Sequence, residues 1–157
     1  MKTMISLAVA STLLMSGAAL AQDGTKVEDA IKYRQSALTT LAWNFGPLGA
    51  MAKGDMDYDA EEAAMRAKRV QELAVMPWEG FIEGSLRNDG HGIETAALAK
   101  TGDNWDDFEK KQQDFEEEAT KLAEVVSNDD DFAALRKQVA ATSKTCKNCH
   151  DEYRAEN

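Results

Sequence analysis

The chain contains 157 residues, and its 28 aspartates and glutamates outnumber 18 lysines and arginines, for a formal net charge of −10 at pH 7. Nucleic acids and anionic membranes bind through basic protein surfaces, so we expect neither as a partner. The length is sufficient for one domain with a sizeable core.

The first 21 residues have the features of an export signal. Lys2 precedes an apolar run at positions 4–14, and small residues lead to Ala-Leu-Ala at 19–21. The apolar run is too short for a membrane-spanning helix, which takes roughly 20 residues, and its end matches a cleavage site. We therefore expect residues 1–21 to be removed and residues 22–157 to form a periplasmic domain.

Apolar residues then recur at steps of three and four, without β-branched alternation, which predicts an all-α fold. The apolar face of the first helix consists of Ile31, Arg34, Leu38, Leu41, Phe45 and Leu48. Gly46-Pro47 is expected to disturb this helix, and Gly54 to begin the next connection. The second helix is predicted to start at Asp59, with Glu62 in a capping box, and to run to Met76.

A long connection follows from Pro77 to about Asp103, with a short helical turn predicted at 94–100 and His91 expected to be solvated. The third helix has the face Trp105, Phe108, Gln112, Phe115, Ala119, Leu122 and Val126. The fourth has Phe132, Leu135, Val139, Thr142, Cys146, Cys149 and Tyr153. Residues 128–131 form the turn between them. Four helices with two short links and one long link predict an antiparallel four-helix bundle.

Cys146 and Cys149 are the only cysteines of the chain, and His150 follows directly. On a helix this spacing places two thiols and an imidazole on one face, where all three can contact the same ligand. The thiols can form thioethers with haem vinyl groups, and the imidazole can bind the iron. A redox-active Cys-x-x-Cys belongs in a βαβ context. A closed zinc site needs four ligands, and the one other histidine is His91. The sequence therefore predicts one covalent haem c with His150 as the iron ligand.

The chain resembles the cytochrome c prime family, the class II c-type cytochromes. The resemblance covers the whole mature sequence and is carried by residues 146–154, by residues 28–38 in the first helix, and by Trp78 and Trp105. It implies a haem-bearing four-helix bundle. It also implies a homodimer that pairs through the first two helices.

The resemblance implies that Arg34 and Gln35 contact the haem, with Arg34 paired to a propionate. The residues alone leave two other interpretations of Arg34 open, namely a side chain that reaches water at the bundle end and one that pairs with an Asp or Glu. By the same resemblance, Glu94 and Thr95 approach the haem edge from the long connection.

Leu38 stands where low-spin relatives have a methionine that binds the second face of the iron. Leucine cannot coordinate, so the resemblance implies an open sixth position walled by hydrocarbon, whereas the residue alone indicates an ordinary core leucine. The mature methionines, Met51, Met56, Met65 and Met76, are less well placed. Tyr153 and Arg154 are expected beside the imidazole of His150, although Arg154 would equally complement the helix dipole.

We therefore predict a periplasmic haem protein, not an enzyme, whose five-coordinate iron binds nitric oxide or carbon monoxide, carries single electrons, or does both. The alternative is a six-coordinate, low-spin electron-transfer cytochrome without a gas-binding role. The acidic surface suits a basic redox protein as partner. The small-residue face of the second helix suits either a second copy of the chain or packing within the bundle; it comprises Ala60, Ala63, Ala64 and Ala67.

Overall fold

The computed structural model describes residues 23–128 and 132–156, so the predicted signal at 1–21 and most of the predicted turn at 128–131 lie outside the described residues. The helices are α1 (Asp23–Lys53), α2 (Ala60–Leu73), a 3-10 turn (Pro77–Gly80), α3 (Lys100–Asp103), α4 (Trp105–Asn128) and α5 (Phe132–Tyr153). α4 packs against α2 and α5, and α1 packs against α2, α5 and the 3-10 turn. The predicted all-α four-helix bundle is confirmed. None of the helices in the described ranges is long and apolar enough to cross a lipid bilayer.

The bundle core contains the apolar faces predicted from the sequence. Its buried residues include Leu41, Leu48, Met51, Ala63, Ala67, Val70, Phe115, Ala119, Leu122, Leu135 and Val139. α2 contributes small side chains, so its backbone can lie close to its neighbours. Ala63 and Ala67 are fully buried within the bundle. These two residues therefore pack inside the bundle and do not face a second copy of the chain.

α2 begins as predicted, because the Asp59 carboxylate accepts a hydrogen bond from the Glu62 backbone N–H at 3.0 Å. The Glu62 side chain does not complete a capping box and instead accepts a hydrogen bond from Arg66. The predicted end at Met76 is wrong. α2 ends at Leu73. The backbone hydrogen bonds that follow join residues three apart, as in a 3-10 helix: Ala74 N–H donates to the Gln71 carbonyl and Met76 N–H to the Leu73 carbonyl.

The predicted disturbance of the first helix at Pro47 is also wrong, since α1 continues through it to Lys53. A proline has no N–H, so the carbonyl of Trp43, four residues earlier, has no intrahelical donor. Arg66 of α2 lies against that carbonyl, with Nη1 3.4 Å from the oxygen. The helix therefore tolerates Pro47 at a place where a neighbouring helix supplies a cation. Gly54, with φ of +83°, begins the connection as predicted.

The long connection is tied to the end of α5. Leu98 N–H donates to the Tyr153 carbonyl at 3.0 Å, and Ala155 N–H donates to the Ala96 carbonyl at 2.8 Å. The predicted helical turn at 94–100 is wrong, because this stretch is needed as donor and acceptor for the last turn of α5. The short helix comes later, at Lys100–Asp103.

His91 is not the solvated residue that we expected. Its side chain is half-buried, and Nε2 donates a hydrogen bond to the Leu86 carbonyl at 2.6 Å. Its Nδ1 is buried without a hydrogen-bond partner among the described residues. His91 therefore belongs to the internal packing of the long connection.

Candidate functional site

A cavity of about 810 Å³ lies between α1, α4, α5 and the long connection. It has the size of a cofactor site. Seven of the eight predicted site residues line it: Arg34, Gln35, Leu38, Thr95, Cys146, Cys149 and His150. The eighth, Glu94, is exposed and outside the lining, and only its backbone carbonyl takes part, by accepting a hydrogen bond from Gln35 Nε2 at 2.9 Å.

α5 aims its two cysteines and its histidine at this cavity because its preceding turns are fixed in register. Leu135, Val139 and Thr142 are buried at steps of three and four. The Thr142 hydroxyl lies 3.0 Å from the Gln138 carbonyl of its own helix and 3.2 Å from the Glu118 carbonyl of α4. The next position on this face, one turn further, is Cys146.

The protein environment keeps these three groups neutral. Burial raises the pKa of the Cys146 thiol, and it raises the pKa of the Cys149 thiol to about 11 against an opposing effect of Lys111. Burial, reinforced by the positive charge of Arg154, lowers the pKa of His150. His150 nonetheless remains exposed to solvent where it lines the cavity. A neutral imidazole has a free lone pair, which is the form that binds iron.

Arg34 anchors the long connection to α1. Nη1 donates to the Gly80 carbonyl at 2.7 Å and the Ser85 hydroxyl at 2.8 Å, and Nη2 donates to the Ser85 carbonyl at 2.5 Å and the Thr95 hydroxyl at 2.9 Å. The guanidinium also lies 4.4 Å from the centroid of the Phe81 ring. Three segments of the connection are therefore held by one side chain.

The burial of Arg34 bears on the two interpretations left open by the sequence, a side chain that reaches water and one that pairs with a carboxylate. The side chain is 1% exposed, so it does not reach water. No carboxylate of the described residues forms an ion pair with it. Burial lowers its pKa to about 10, and Asp89 acts in the opposite direction. Only Nε is left without a hydrogen bond among the described residues, so pairing with a propionate stays a prediction that rests on this one donor.

Close packing at Gly80 brings the connection against α1. A methyl group on Gly80 would lie 2.5 Å from the Ala30 carbonyl oxygen and 2.7 Å from Cβ of Arg34. A side chain of any size would push the 3-10 turn away from α1. Glycine at this position is therefore a condition for the Arg34 contacts.

The wall around Leu38 is largely apolar, and the hydroxyl of its neighbour Thr39 is engaged. Leu38 is half-buried, and Leu41 and Phe45 of the same helix also line the cavity. Thr39 donates its hydroxyl proton to the Gln35 carbonyl at 2.7 Å. On the opposite side, Trp78 stands edge-on to Phe108 and Phe115 at centroid distances of 6.2 and 6.4 Å.

A polar chain lies behind the end of α5. The Tyr153 hydroxyl donates to Asp107 at 2.6 Å, and Lys111 pairs with the same carboxylate at 3.4 Å. The hydrogen bond holds the pKa of Asp107 below its usual value, while burial raises the pKa of Tyr153 to about 12. α4 thereby holds the last turn of α5 in place.

The lining fits a haem. No aspartate or glutamate of the described residues lines the cavity, although the chain is strongly acidic, whereas Arg34, Lys111 and Arg154 do. Such a wall suits a flat apolar ring that carries two carboxylates. The indole N–H of Trp78 is buried without a partner among the described residues, so the cavity also has a spare donor.

Sequence reasoning missed several residues of this site, of which Lys111 and Ser85 have the clearest roles. Lys111 lines the cavity three residues after Phe108, and its helical spacing from the predicted face was a usable signal. Ser85 supplies two of the four acceptors of Arg34, and nothing in the glycine-containing loop around it marks it out. The four mature methionines lie outside the described lining.

Comparison with known proteins gives a consistent result. Residues 29–154 match the family described as Cytochrome C′. The chain is 55% identical over 129 residues to cytochrome c′ of Halomonas halodenitrificans, covering 82% of this chain and 98% of the relative. The structure of cytochrome c prime from Shewanella frigidimarina matches with a TM-score of 0.77 and 39% identity, over 83% of this chain and 97% of the other.

A further solved structure is the nitric oxide complex of a leucine-to-alanine mutant of cytochrome c prime from Alcaligenes xylosoxidans. It matches with a TM-score of 0.73 and 31% identity, over 83% of this chain and 97% of that chain.

Proposed function

The chain belongs to the cytochrome c′ family, whose haem c is bound covalently, and on that premise we propose that it binds nitric oxide or carbon monoxide at an iron whose sixth position is left open. Cys146 and Cys149 would hold the haem through thioethers, and His150 would bind its iron. Haem, when bound, supplies an iron that coordinates diatomic gases and exchanges one electron.

The observation that carries this proposal is the apolar wall at Leu38. Dioxygen is held best with a hydrogen-bond donor beside it, whereas nitric oxide and carbon monoxide need none. The hydroxyl of Thr39 is committed to the Gln35 carbonyl, and one amide N–H of Gln35 is committed to Glu94. The wall at Leu38 therefore suits small apolar gases that need no hydrogen-bond donor.

The decisive experiment is a visible spectrum of the purified holoprotein, ferric and ferrous, with and without carbon monoxide and nitric oxide. High-spin features that convert to low-spin features on addition of gas support the proposal. A low-spin, six-coordinate spectrum that gas leaves unchanged would establish the alternative, an electron-transfer cytochrome without a gas-binding role.

We propose further that the chain works in the periplasm as a binding protein or electron carrier rather than an enzyme, after removal of residues 1–21. Mass spectrometry of the exported protein should find Gln22 as its first residue.

A homodimer through α1 and α2 is supported by Trp43, whose side chain is 77% exposed, more than any other large apolar side chain described. Sedimentation of wild type and Trp43→Glu tests this pairing. The wild type should sediment as a dimer and the variant as a monomer.

A further inference from the structure

The charge of α5 runs against that of the rest of the protein. α5 contains four exposed basic side chains, Arg136, Lys137, Lys144 and Lys147, against two acidic residues, Asp151 and Glu152, both in its last turn. α4, which packs beside it, carries eight acidic residues and three lysines between Trp105 and Asn128. The one helix that bears the haem motif is thus basic in a protein with a net charge of −10.

Part of this charge lies at the mouth of the cavity. Arg136, Ser143, Lys147, His150 and Arg154 follow one another at steps of seven, four, three and four, which places them on one side of α5. Ser143, His150 and Arg154 of this set line the cavity. The edge of the site that faces solvent is therefore flanked by cations.

The cations of this edge are only partly neutralised. Lys147 pairs with Asp151 at 2.5 Å, but its side chain remains 72% exposed. Lys144 is not on this edge but lies beside Lys147 on the outer surface of α5, and it has no ion pair with any described residue. We name Lys144, Lys147 and Arg154, with Arg136 further along, the basic patch.

We propose that the basic patch is a docking surface for an acidic redox protein, which delivers one electron to the haem through the exposed edge at His150. This inference rests on the proposed haem site. It reverses the expectation from net charge, which favoured a basic partner. Local charge at the contact steers association more strongly than net charge does, because solvent ions screen charges more than about 10 Å away.

The electron balance is simple. A one-electron donor such as an acidic iron–sulfur protein or flavoprotein is oxidised by one electron, and the ferric iron of this protein becomes ferrous. No proton or other group has to move. Ferrous iron is the form that binds carbon monoxide, so such a partner would prepare the site for gas binding.

The test uses the ferric holoprotein and reduced plant-type 2Fe–2S ferredoxin, a strongly acidic one-electron donor, in stopped-flow mixing at low salt. Lys147→Glu should slow reduction about 3- to 10-fold, and Lys144→Glu, which lies further from the cavity mouth, should slow it less. The matched control is Lys68→Glu on α2, because Lys68 is 73% exposed and, like Lys147, is four residues from an acidic partner. It changes the net charge equally and should leave the rate within about twofold of wild type.

Two outcomes would overturn the inference. One is equal slowing by Lys68→Glu and the patch variants, which would mean that net charge alone acts. The other is a wild-type rate that rises with added salt, which would mean that the two acidic proteins repel each other at the contact. The carbon monoxide spectrum of each variant is recorded alongside, so loss of the haem site is distinguished from loss of docking.

Carbodiimide cross-linking gives a readout that does not depend on electron transfer. The reagent joins a lysine amine to a carboxylate in direct contact. Mass spectrometry of the complex with ferredoxin should find Lys144 or Lys147 joined to the partner, and Lys68 unmodified. Cross-links spread evenly over the exposed lysines would contradict a defined docking surface.

Discussion

The two long walls of the cavity are built on opposite principles. The α1 wall is held by the protein itself, since Arg34 makes four hydrogen bonds to the long connection and Gly80 packs directly on α1. The α5 wall presents Cys146, Cys149 and His150, none of them fully buried and all proposed to hold the haem. The α1 wall is ordered by protein contacts alone, whereas the α5 wall would be completed by the haem.

One cavity thus combines a rigid pocket with the residues that attach the haem. Binding sites gain affinity when the protein is ordered before the ligand arrives. Here the α1 wall supplies that order, while the bonds come from α5. Substitutions in the two walls should therefore have different effects.

The largest effect is expected at the attachment point. In the double variant Cys146→Ala/Cys149→Ala, acid–acetone should extract all haem, whereas the wild type should retain it in the protein fraction. Mass spectrometry of both fractions measures the difference. Extraction of haem from the wild type would show that the thioethers are absent.

Removing Arg34, which anchors the α1 wall, should lower the stability of the protein but leave the covalent attachment of haem intact. Arg34→Leu removes the donors to the buried carbonyl oxygens of Gly80 and Ser85, and we expect a loss of about 3 kcal/mol in the free energy of unfolding. Urea denaturation of the holoprotein measures it. Lys68→Leu, which removes an exposed i,i+4 ion pair with Glu72, is the control and should lose less than about 1 kcal/mol. Similar losses in both variants would mean that Arg34 is not an anchor.

Two glycine substitutions test the close packing of the long connection against α1. Gly80→Ala forces a methyl group against Ala30 and Arg34 and should destabilise the protein by about 1 to 3 kcal/mol. Gly49→Ala, inside α1 with nothing within 4 Å of its new methyl group, should stabilise it by about 0.5 to 1 kcal/mol. Thermal unfolding of the two variants should shift in opposite directions. A shift in the same direction would contradict close packing at Gly80.

The α1 wall should also limit gas entry. Overpacking strain is roughly 1 to 3 kcal/mol, so Leu38→Ala should speed carbon monoxide binding to the ferrous protein about tenfold. Flash photolysis measures the rate. Leu48→Val, a core change on the same helix outside the cavity lining, is the control and should leave the rate unchanged. An unaltered rate in Leu38→Ala would make Leu38 an ordinary core residue.

The smallest effect concerns the support of the α5 wall. Tyr153→Phe removes the hydrogen bond to Asp107 and should cost about 1 kcal/mol. The Asp107 pKa is lowered from 3.8 and the Tyr153 pKa is raised from 10.0 on folding. The contribution is therefore full between these two values, and it is lost as pH falls below 4 or rises above 10. Denaturation of both proteins at pH 3 and pH 7 should give a smaller difference at pH 3. A difference independent of pH would exclude this hydrogen bond as its source.

The fold was largely predictable because each long helix has an uninterrupted apolar face. The positions of Cys146, Cys149, His150, Arg34 and Leu38 around one cavity followed from helical spacing and family resemblance together. The long connection was not predictable, because its course depends on contacts distant in sequence. The hydrogen bonds of Arg34 to Ser85 and Thr95 span 51 and 61 residues, and no local pattern encodes them. The prediction of a disturbance at Pro47 was wrong for a related reason. Arg66, from another helix, lies against the Trp43 carbonyl that Pro47 leaves without a donor.

The raised pKa of the cysteines has a kinetic consequence for the chain before it carries its cofactor. With a pKa of about 11, the Cys149 thiol is ionised in only about one molecule in ten thousand at pH 7. Because the thiolate is the reactive form, the folded apoprotein resists both air oxidation and alkylation at this sulfur. Both reactions should therefore be slow at neutral pH and become faster as the pH approaches the pKa of the thiol.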